Sequence, residues 1–547
     1  MPMNQEPHNE SATAILTGRS IIGFACGKGN GTLFHAFDPQ TGHACGPAFT
    51  SADAEDIDQA VELAATAAPK WAKVSGTARA EFLRAIASRL ATIALPLIER
   101  AHLETALPEA RLESELARTC HQLRLFADAV QEGSWVMGRI DRGDPKRTPT
   151  AKPDVRSMLR PLGPVVVFGA SNFPLAFSVA GGDSVSAWAS GNPVIVKAHP
   201  AHPGTSELVG QAISECVHSY GLPEGLFSLL FDVDITVGQT LVKHPSVKAV
   251  GFTGSHAGGR AVMDLAASRP EPIPVFAEMG SVNPMFILPR ALEARGEQIV
   301  SGIYASFTLG AGQFCTKPGL VFIPEGNASE NLMRHLETLV SAAAPFSLLT
   351  AGIRNAFVRA CDDRRLRADL RTVIGDRDDQ SHDSLGVGAA LMKTDVKTFL
   401  SRPELSEEMF GPATLLVTHS DKAQLVEIAS MLKGHLTATV HGTEQDFQEF
   451  VELIQILETK VGRLVFNGYP TGVEVCHAMV HGGPYPASSD GRSTSVGTQA
   501  IFRFSRAVCF QDCPDQLLPP ELRNENPLGI WRMVDGAMTR EAITRSH

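Results

Sequence analysis

Cys315 stands between small and turn-forming residues in Gln313-Phe314-Cys315-Thr316-Lys317-Pro318-Gly319, and Glu278-Met279-Gly280-Ser281 begins thirty-seven residues before it. A thiol at its free pKa, roughly 8.5, is only a few per cent ionised near neutrality, so a nucleophilic cysteine gains from a nearby base. A carboxylate can take that proton directly or through one water if the fold brings the two together. Taken singly, a free cysteine more often just fills space. The case for Cys315 therefore rests on the rest of the chain.

The elements that would position such a pair read as α/β. Apolar positions at helical spacing (Val61, Leu63, Phe82, Leu83, Ile86, Leu90) predict helices between Asp56 and Glu104, and the pattern repeats from Arg111 to Glu132. From Leu162 the chain alternates. Apolar runs at Val165–Phe168, Val194–Lys197, Leu226–Phe231 and Val247–Phe252 read as strands, each followed by a helical stretch. Continuous apolar strands between helices imply a parallel sheet covered on both faces, which binds ligands at the carboxyl ends of its strands. A second α/β unit begins near Gly280, with a helix over Ile299–Leu309 before the cysteine loop. Gly138–Asp154 is a polar excursion, His481–Thr498 a Gly-, Ser- and Pro-rich loop over a site, and Ile501–Phe510 a late strand. Residues 1–15 are polar and expected to fray.

Composition excludes several classes. A net charge of −11 gives no basic footprint, so a nucleic-acid partner is not expected. The most apolar region, Val165–Val196, is broken by Asn172, Pro174, Asp183 and Asn192, so no membrane span is expected. The first residues lack a basic, then apolar, leader pattern. Nine scattered cysteines without a Cys-x-x-Cys pair suit a reduced, cytoplasmic, metal-free protein. His199 and His202 lie among prolines without a helical ligand face, so no metal is assigned there. Gly27-Lys28-Gly29-Asn30-Gly31 fits neither nucleotide fingerprint and reads as a hairpin turn.

Other short motifs are ambiguous one at a time. Asn172, after a strand end, could donate to a developing oxyanion or simply form a turn. Lys197 could reach a phosphate or ribose, or be a solvated strand-end lysine. Phe252-Thr253-Gly254-Ser255 opens a helix whose N-terminus suits a pyrophosphate. Glu408-Met409-Phe410-Gly411-Pro412 could hold a ribose hydroxyl. Their order and spacing together resemble the aldehyde dehydrogenase superfamily across nearly the whole chain.

That resemblance implies a Rossmann-like cofactor domain over residues 1–280, with an oligomerisation hairpin near 138–160. It further implies an α/β catalytic domain over 281–500, and a C-terminal strand and tail over 501–547 joining the oligomerisation sheet. By the same resemblance Cys315 is the nucleophile, Glu278 the general base, and Asn172 with the Cys315 N–H the oxyanion hole. Lys197, His199, Gly254, Ser255, Gly280, Glu408 and Phe410 are the expected cofactor residues.

Gly169-Ala170-Ser171-Asn172-Phe173-Pro174, Lys197-Ala198-His199-Pro200 and Asn526-Pro527-Leu528-Gly529-Ile530-Trp531-Arg532 are similar to the α-ketoglutarate semialdehyde dehydrogenase branch. This implies an α-keto semialdehyde as substrate, a general or fatty aldehyde being the alternative. An acylating coenzyme A reaction is disfavoured by Glu278, and a non-catalytic paralogue by the presence of all three catalytic residues. Two departures stand out: Ser171 where many members carry tryptophan, and Asp490-Gly491-Arg492-Ser493-Thr494-Ser495 without the usual glutamate. Arg492, Ser493, Thr494, Ser171, Thr316 and Arg160 are the sequence candidates for a substrate carboxylate. NADP is expected as the preferred oxidant, with NAD accepted, because Pro200 replaces the ribose-binding glutamate common three residues after the lysine. Asp232 and Asp234 are the acids that would reverse this. A homodimer or homotetramer is expected.

Overall fold

The computed structural model describes residues 16–375 and 385–543; the polar residues 1–15 lie outside the described residues. Two seven-stranded sheets organise them. The first places five parallel strands in the order Val275–Glu278, Ala249–Thr253, Val165–Phe168, Val194–Lys197 and Phe227–Leu230. Ile21–Ile22 and Ala25–Cys26 extend its edge in antiparallel fashion. The strands are Val- and Ile-rich and buried on both faces, as the apolar runs require.

Helices Ala54–Trp71, Gly76–Thr92 and Glu109–Glu132 precede its parallel strands in the chain. An aromatic chain ties them to it: Trp71, Phe82, Trp188 and Phe227 pack edge to face, with centroids 5.6 to 6.0 Å apart. Each such pair adds about 0.5–1.5 kcal/mol beyond burial. The two indoles donate to Trp188 O and Leu226 O, so neither buried N–H is left unpaired.

The second sheet runs Arg371–Ile374, Ala390–Asp395, Ala413–His419, Leu320–Pro324, Met285–Ile287, His435–His441 and Val461–Phe466. Only Arg371–Ile374 is antiparallel to its neighbour. Stacked Phe286 and Phe322, 4.9 Å apart, lie in its core. A five-stranded sheet combines Arg139–Asp141 and Val155–Pro161 with Ser505–Gln511, Arg532–Val534 and Ala537–Thr539.

Two sequence expectations shift. Residues 27–31 link strands of two different sheets rather than turning a hairpin. The late strand begins at Ser505, because Thr498–Phe504 coils as a 3₁₀ helix that buries Ile501, Arg503 and Phe504. Among the described residues, no helix is long and apolar enough to cross a membrane.

Candidate active site

The cysteine loop follows the helix Pro289–Thr308, and three successive left-handed residues turn the chain out of it: Gly310 (φ 56°), Ala311 (φ 58°) and Gly312 (φ 67°). A positive φ at alanine is a strained conformation that the surroundings must enforce. At Gly312 a Cβ would lie 2.2 Å from the carbonyl oxygen of Gly411, so the cysteine loop and the Glu408 loop meet backbone to backbone.

Two buried side chains then hold the loop. Asn283 Nδ2 donates to Cys315 O at 2.8 Å and Lys317 O at 2.9 Å, while its Oδ1 accepts from Ser281 and Thr437. Lys317 Nζ donates to Met409 O at 2.8 Å and Ala413 O at 2.9 Å. Burial lowers the Lys317 pKa to about 8 and raises that of Glu408 to about 7, each drawn back by the other's charge.

Glu278 ends the outer parallel strand, in register with Thr253. The Gly-, Ser- and Pro-rich loop expected to cover a site runs alongside: Glu278 bridges Ser488, and Met279 N donates to Ala487 O. This trace delivers two groups that local sequence did not single out. His481 Nε2 lies 3.4 Å from Cys315 Sγ and 3.0 Å from Glu278 Oε1. The Ser495 hydroxyl donates a short hydrogen bond to Glu278 Oε2. Oε1 has no well-aligned hydrogen-bond donor, which leaves it a lone pair for a proton.

The electrostatics set thiol and carboxylate apart. Burial first, then the Glu278 and Glu408 carboxylates, push the Cys315 thiol well above its ordinary value, with Arg118 opposing. Burial also acts to raise Glu278, but His481, the Ser495 hydroxyl and Arg503 outweigh it and the net shift is downward. A protonated thiol thus faces an ionised carboxylate, the pairing that general-base activation would need.

Asn172 Nδ2 donates to Gln313 O at 2.8 Å, which fixes its amide against the cysteine loop and leaves one N–H free. Among the described residues the Cys315 N–H has no protein acceptor. Two cavities meet at Cys315. One, of about 590 Å³, is lined by Asn172, Lys197, His199, Gly254, Ser255, Glu278, Gly280, Glu408 and Phe410, so all the expected site residues come together there. The other, of about 570 Å³, lies on the far side of Phe173 and Phe177 and is lined by Arg111, Arg118, Phe314, Thr316, Val475 and His481.

Within the first cavity the individual positions have local causes. Ser255 caps the helix His256–Ala267, accepting from Gly258 N at 3.1 Å. A Cβ on Gly280 would fall 2.0 Å from Glu408 Oε2, so any side chain there would displace that carboxylate. Lys197 Nζ donates to Asp232 O at 3.3 Å. His199 stacks on His202, and burial, His202 and Lys197 hold its pKa well below the ordinary value, so the ring brings no charge at neutral pH. Asp232 is buried, accepting from Asp234 N and Val237 N, whereas Asp234 is exposed.

The sequence candidates for a substrate carboxylate mostly fall elsewhere. Arg492 is exposed and paired with Asp490. Arg160 sits opposite Arg506 in the five-stranded sheet. Ser493 bonds back to Asp490 O, and Thr494 is occupied by His481 N and Val496 O. Ser171 lines the first cavity and Thr316 the second.

Parallel sheets, a strand-end carboxylate and a loop cysteine between two cavities make a candidate active site, and known proteins give its class, that of an oxidoreductase. The profile of the aldehyde dehydrogenase family matches residues 27–506, and the chain belongs to that family. It is an NAD(P)-dependent aldehyde dehydrogenase. It is 47% identical over 526 residues to α-ketoglutaric semialdehyde dehydrogenase 2 of Azospirillum brasilense, covering 95% of this chain and 99% of that one. To the α-ketoglutaric semialdehyde dehydrogenase of Acinetobacter baylyi it is 43% identical, over 90% and 93% of the two chains. Among solved structures, betaine aldehyde dehydrogenase of Staphylococcus aureus in complex with NAD+ superposes with a TM-score of 0.78 at 18% identity, covering 91% and 96% of the chains.

Removal of the Ser495 hydroxyl takes away one of the groups that lower the Glu278 pKa. Ser495→Ala is expected to move the acidic limb of the kcat/KM–pH profile upward by about one unit, since a hydrogen bond to a charged group contributes about 1.5–3 kcal/mol and a unit is about 1.4. A limb that stays in place or moves down would show that Ser495 does not tune this carboxylate.

Proposed function

We propose that this enzyme oxidises α-ketoglutarate semialdehyde to the corresponding dicarboxylic acid, through a covalent intermediate on Cys315, with NADP as preferred oxidant. The observation that carries this reading is the Cys315–His481–Glu278 cluster at the junction of two cavities, one of which can hold a dinucleotide and the other an aldehyde. The names of the two semialdehyde dehydrogenases above support the substrate.

The residues of the first cavity fit the dinucleotide. Glu408 Oε1 is buried without a hydrogen-bond partner, as an acceptor awaiting ribose hydroxyls would be. The N-terminus of the His256–Ala267 helix faces the same space and suits a pyrophosphate. Lys197 supplies a cation, and Pro200 leaves no carboxylate to repel a 2′-phosphate. When bound, the nicotinamide ring accepts the hydride.

The thiol proton has an acceptor in reach in the Glu278 carboxylate, and His481 Nε2 lies 3.4 Å from the sulfur. The thiolate bonds to the aldehyde carbon, and the carbonyl oxygen takes up the charge against the free N–H of Asn172 and the Cys315 N–H. Loss of hydride from the thiohemiacetal leaves a thioester on Cys315. Glu278 then takes a proton from water, the hydroxide adds to the thioester carbon, and the C–S bond breaks to return the thiolate.

Cys315→Ala is expected to lose turnover by at least about 10⁴-fold, the scale of losing a nucleophile, while keeping cofactor affinity within a few-fold. Glu278→Gln is expected to give a burst of reduced cofactor followed by slow turnover. Normal steady-state rates in the Cys315 variant would remove the covalent mechanism, and in the Glu278 variant they would remove Glu278 as the deacylating base.

The cofactor preference is read from kcat/KM for NADP and NAD at saturating aldehyde. We expect NADP to be favoured severalfold; a tenfold bias toward NAD, about 1.4 kcal/mol, would mean that Asp234, not Pro200, decides the preference.

The same reading includes a cytoplasmic homo-oligomer. Ser505–Gln511 is an edge strand, paired on one side only with Val155–Pro161, and strand edges invite a partner. Sedimentation at micromolar concentration is expected to give a dimer or tetramer, and a monomeric mass would refute the assignment.

A further inference from the structure

The second cavity holds a cation without a partner. Arg111, Ser114, Glu115, Arg118 and His121 follow the helical repeat along Glu109–Glu132, so one face of that helix lines the cavity. Nη1 of both its arginines is buried without a hydrogen-bond partner, but the two differ in what else holds them. Arg111 is committed to structure: Nη2 donates to Asn172 O at 2.7 Å, and the guanidinium lies over the rings of Phe173 and Phe314 at 5.0 and 4.8 Å. It therefore positions the oxyanion-hole residue.

Arg118 is not committed in this way. Its guanidinium packs over Phe177 at 5.0 Å, Nη1 is buried without a hydrogen-bond partner, and among the described residues it forms no ion pair. The charge of nearby Glu115 favours the Arg118 cation but makes no ion pair with it, because Glu115 Oε1 accepts from Leu175 N and Ala176 N and Oε2 lies 4.0 Å from Arg111. Glu474, at the opposite rim of the cavity, is exposed to solvent. A guanidinium withdrawn from water without a counter-ion is costly, and an incoming carboxylate relieves that cost with charge-assisted bonds.

We propose that Arg118 is the receptor for the remote carboxylate of the substrate and so selects anionic aldehydes. The inference rests on the semialdehyde reading above and adds the group that recognises its charge. In that substrate four carbon–carbon bonds of about 1.5 Å separate the aldehyde carbon from the carboxylate carbon, a reach of about 5 Å when extended. Cys315 and Arg118 line the same cavity, and the charge of Arg118 acts on the Cys315 thiol. Glu278, ionised beside the thiol, repels the anionic end from the cysteine, so the field orients the molecule with its aldehyde toward Cys315 and its carboxylate toward Arg118. The phenyl faces of Phe173, Phe177 and Phe314 enclose the methylenes between.

The test compares kcat/KM for α-ketoglutarate semialdehyde with that for pentanal, an uncharged aldehyde of equal chain length, at saturating cofactor. The wild-type enzyme is expected to favour the charged aldehyde by at least about 100-fold. Arg118→Gln is expected to lose thirtyfold or more of that ratio, with the loss in KM of the semialdehyde rather than in kcat. Arg118→Lys should recover part of it. Arg118→Met keeps the aliphatic packing on Phe177 and replaces Arg118→Gln if that variant does not fold.

A fall in the ratio of less than tenfold, or equal losses of kcat on both aldehydes, overturns the role of Arg118 while leaving the substrate reading intact. A wild-type enzyme without preference for the charged aldehyde overturns both.

Discussion

The site is organised around one expensive requirement, an ionised carboxylate held out of water beside a thiol. The idealised cost of moving a carboxylate into a low-dielectric interior is of order 20 kcal/mol, and several kcal/mol remain after relaxation. Glu278 meets it with partners from distant parts of the chain: His481 and Ser495 from the covering loop, and the charge of Arg503 from the 3₁₀ helix behind it. Arg503 is itself balanced by the buried Asp183, 2.7 Å away. The path of the covering loop, pinned by backbone bonds at Ala277 and Met279, follows from the need to deliver these groups.

The cysteine loop is under the complementary constraint of having little regular structure of its own. Three left-handed residues and a backbone-to-backbone approach at Gly411 would leave it free to drift without Asn283 and Lys317. Both side chains are buried and bond to carbonyl oxygens, so the loop's acceptors are satisfied by side chains where no ladder is available. Because Lys317 binds the Glu408 loop, the thiol and the Glu408 carboxylate are held by one mechanical link.

The two cavities divide the chemistry by charge. Lys197 lines the first and Arg118 the second, and the carboxylates of Glu278 and Glu408 both act on the Cys315 thiol where the two meet. Cationic groups at both outer ends and anionic groups at the centre suit two anionic ligands whose reacting ends meet in the middle. A net charge of −11 says nothing of this arrangement, because what matters is where the few inward-facing cations stand.

The sequence by itself determined the alternation of apolar strands and helices, hence the first parallel sheet, and the motifs that carry Cys315, Glu278, Asn172, Lys197, Ser255 and Glu408. Those features are local: burial on both faces of a strand writes a continuous apolar run, and strand-end turns write small residues. The tertiary structure alone decided that His481, 166 residues beyond Cys315, touches its sulfur, and that Arg118 rather than Arg492 faces the second cavity. A histidine in a glycine-rich loop and an arginine on an amphipathic helix carry no local mark of such roles. Whether an arginine is paired or orphaned depends on which carboxylates the fold brings within 4 Å, and spacing along one chain does not encode that distance.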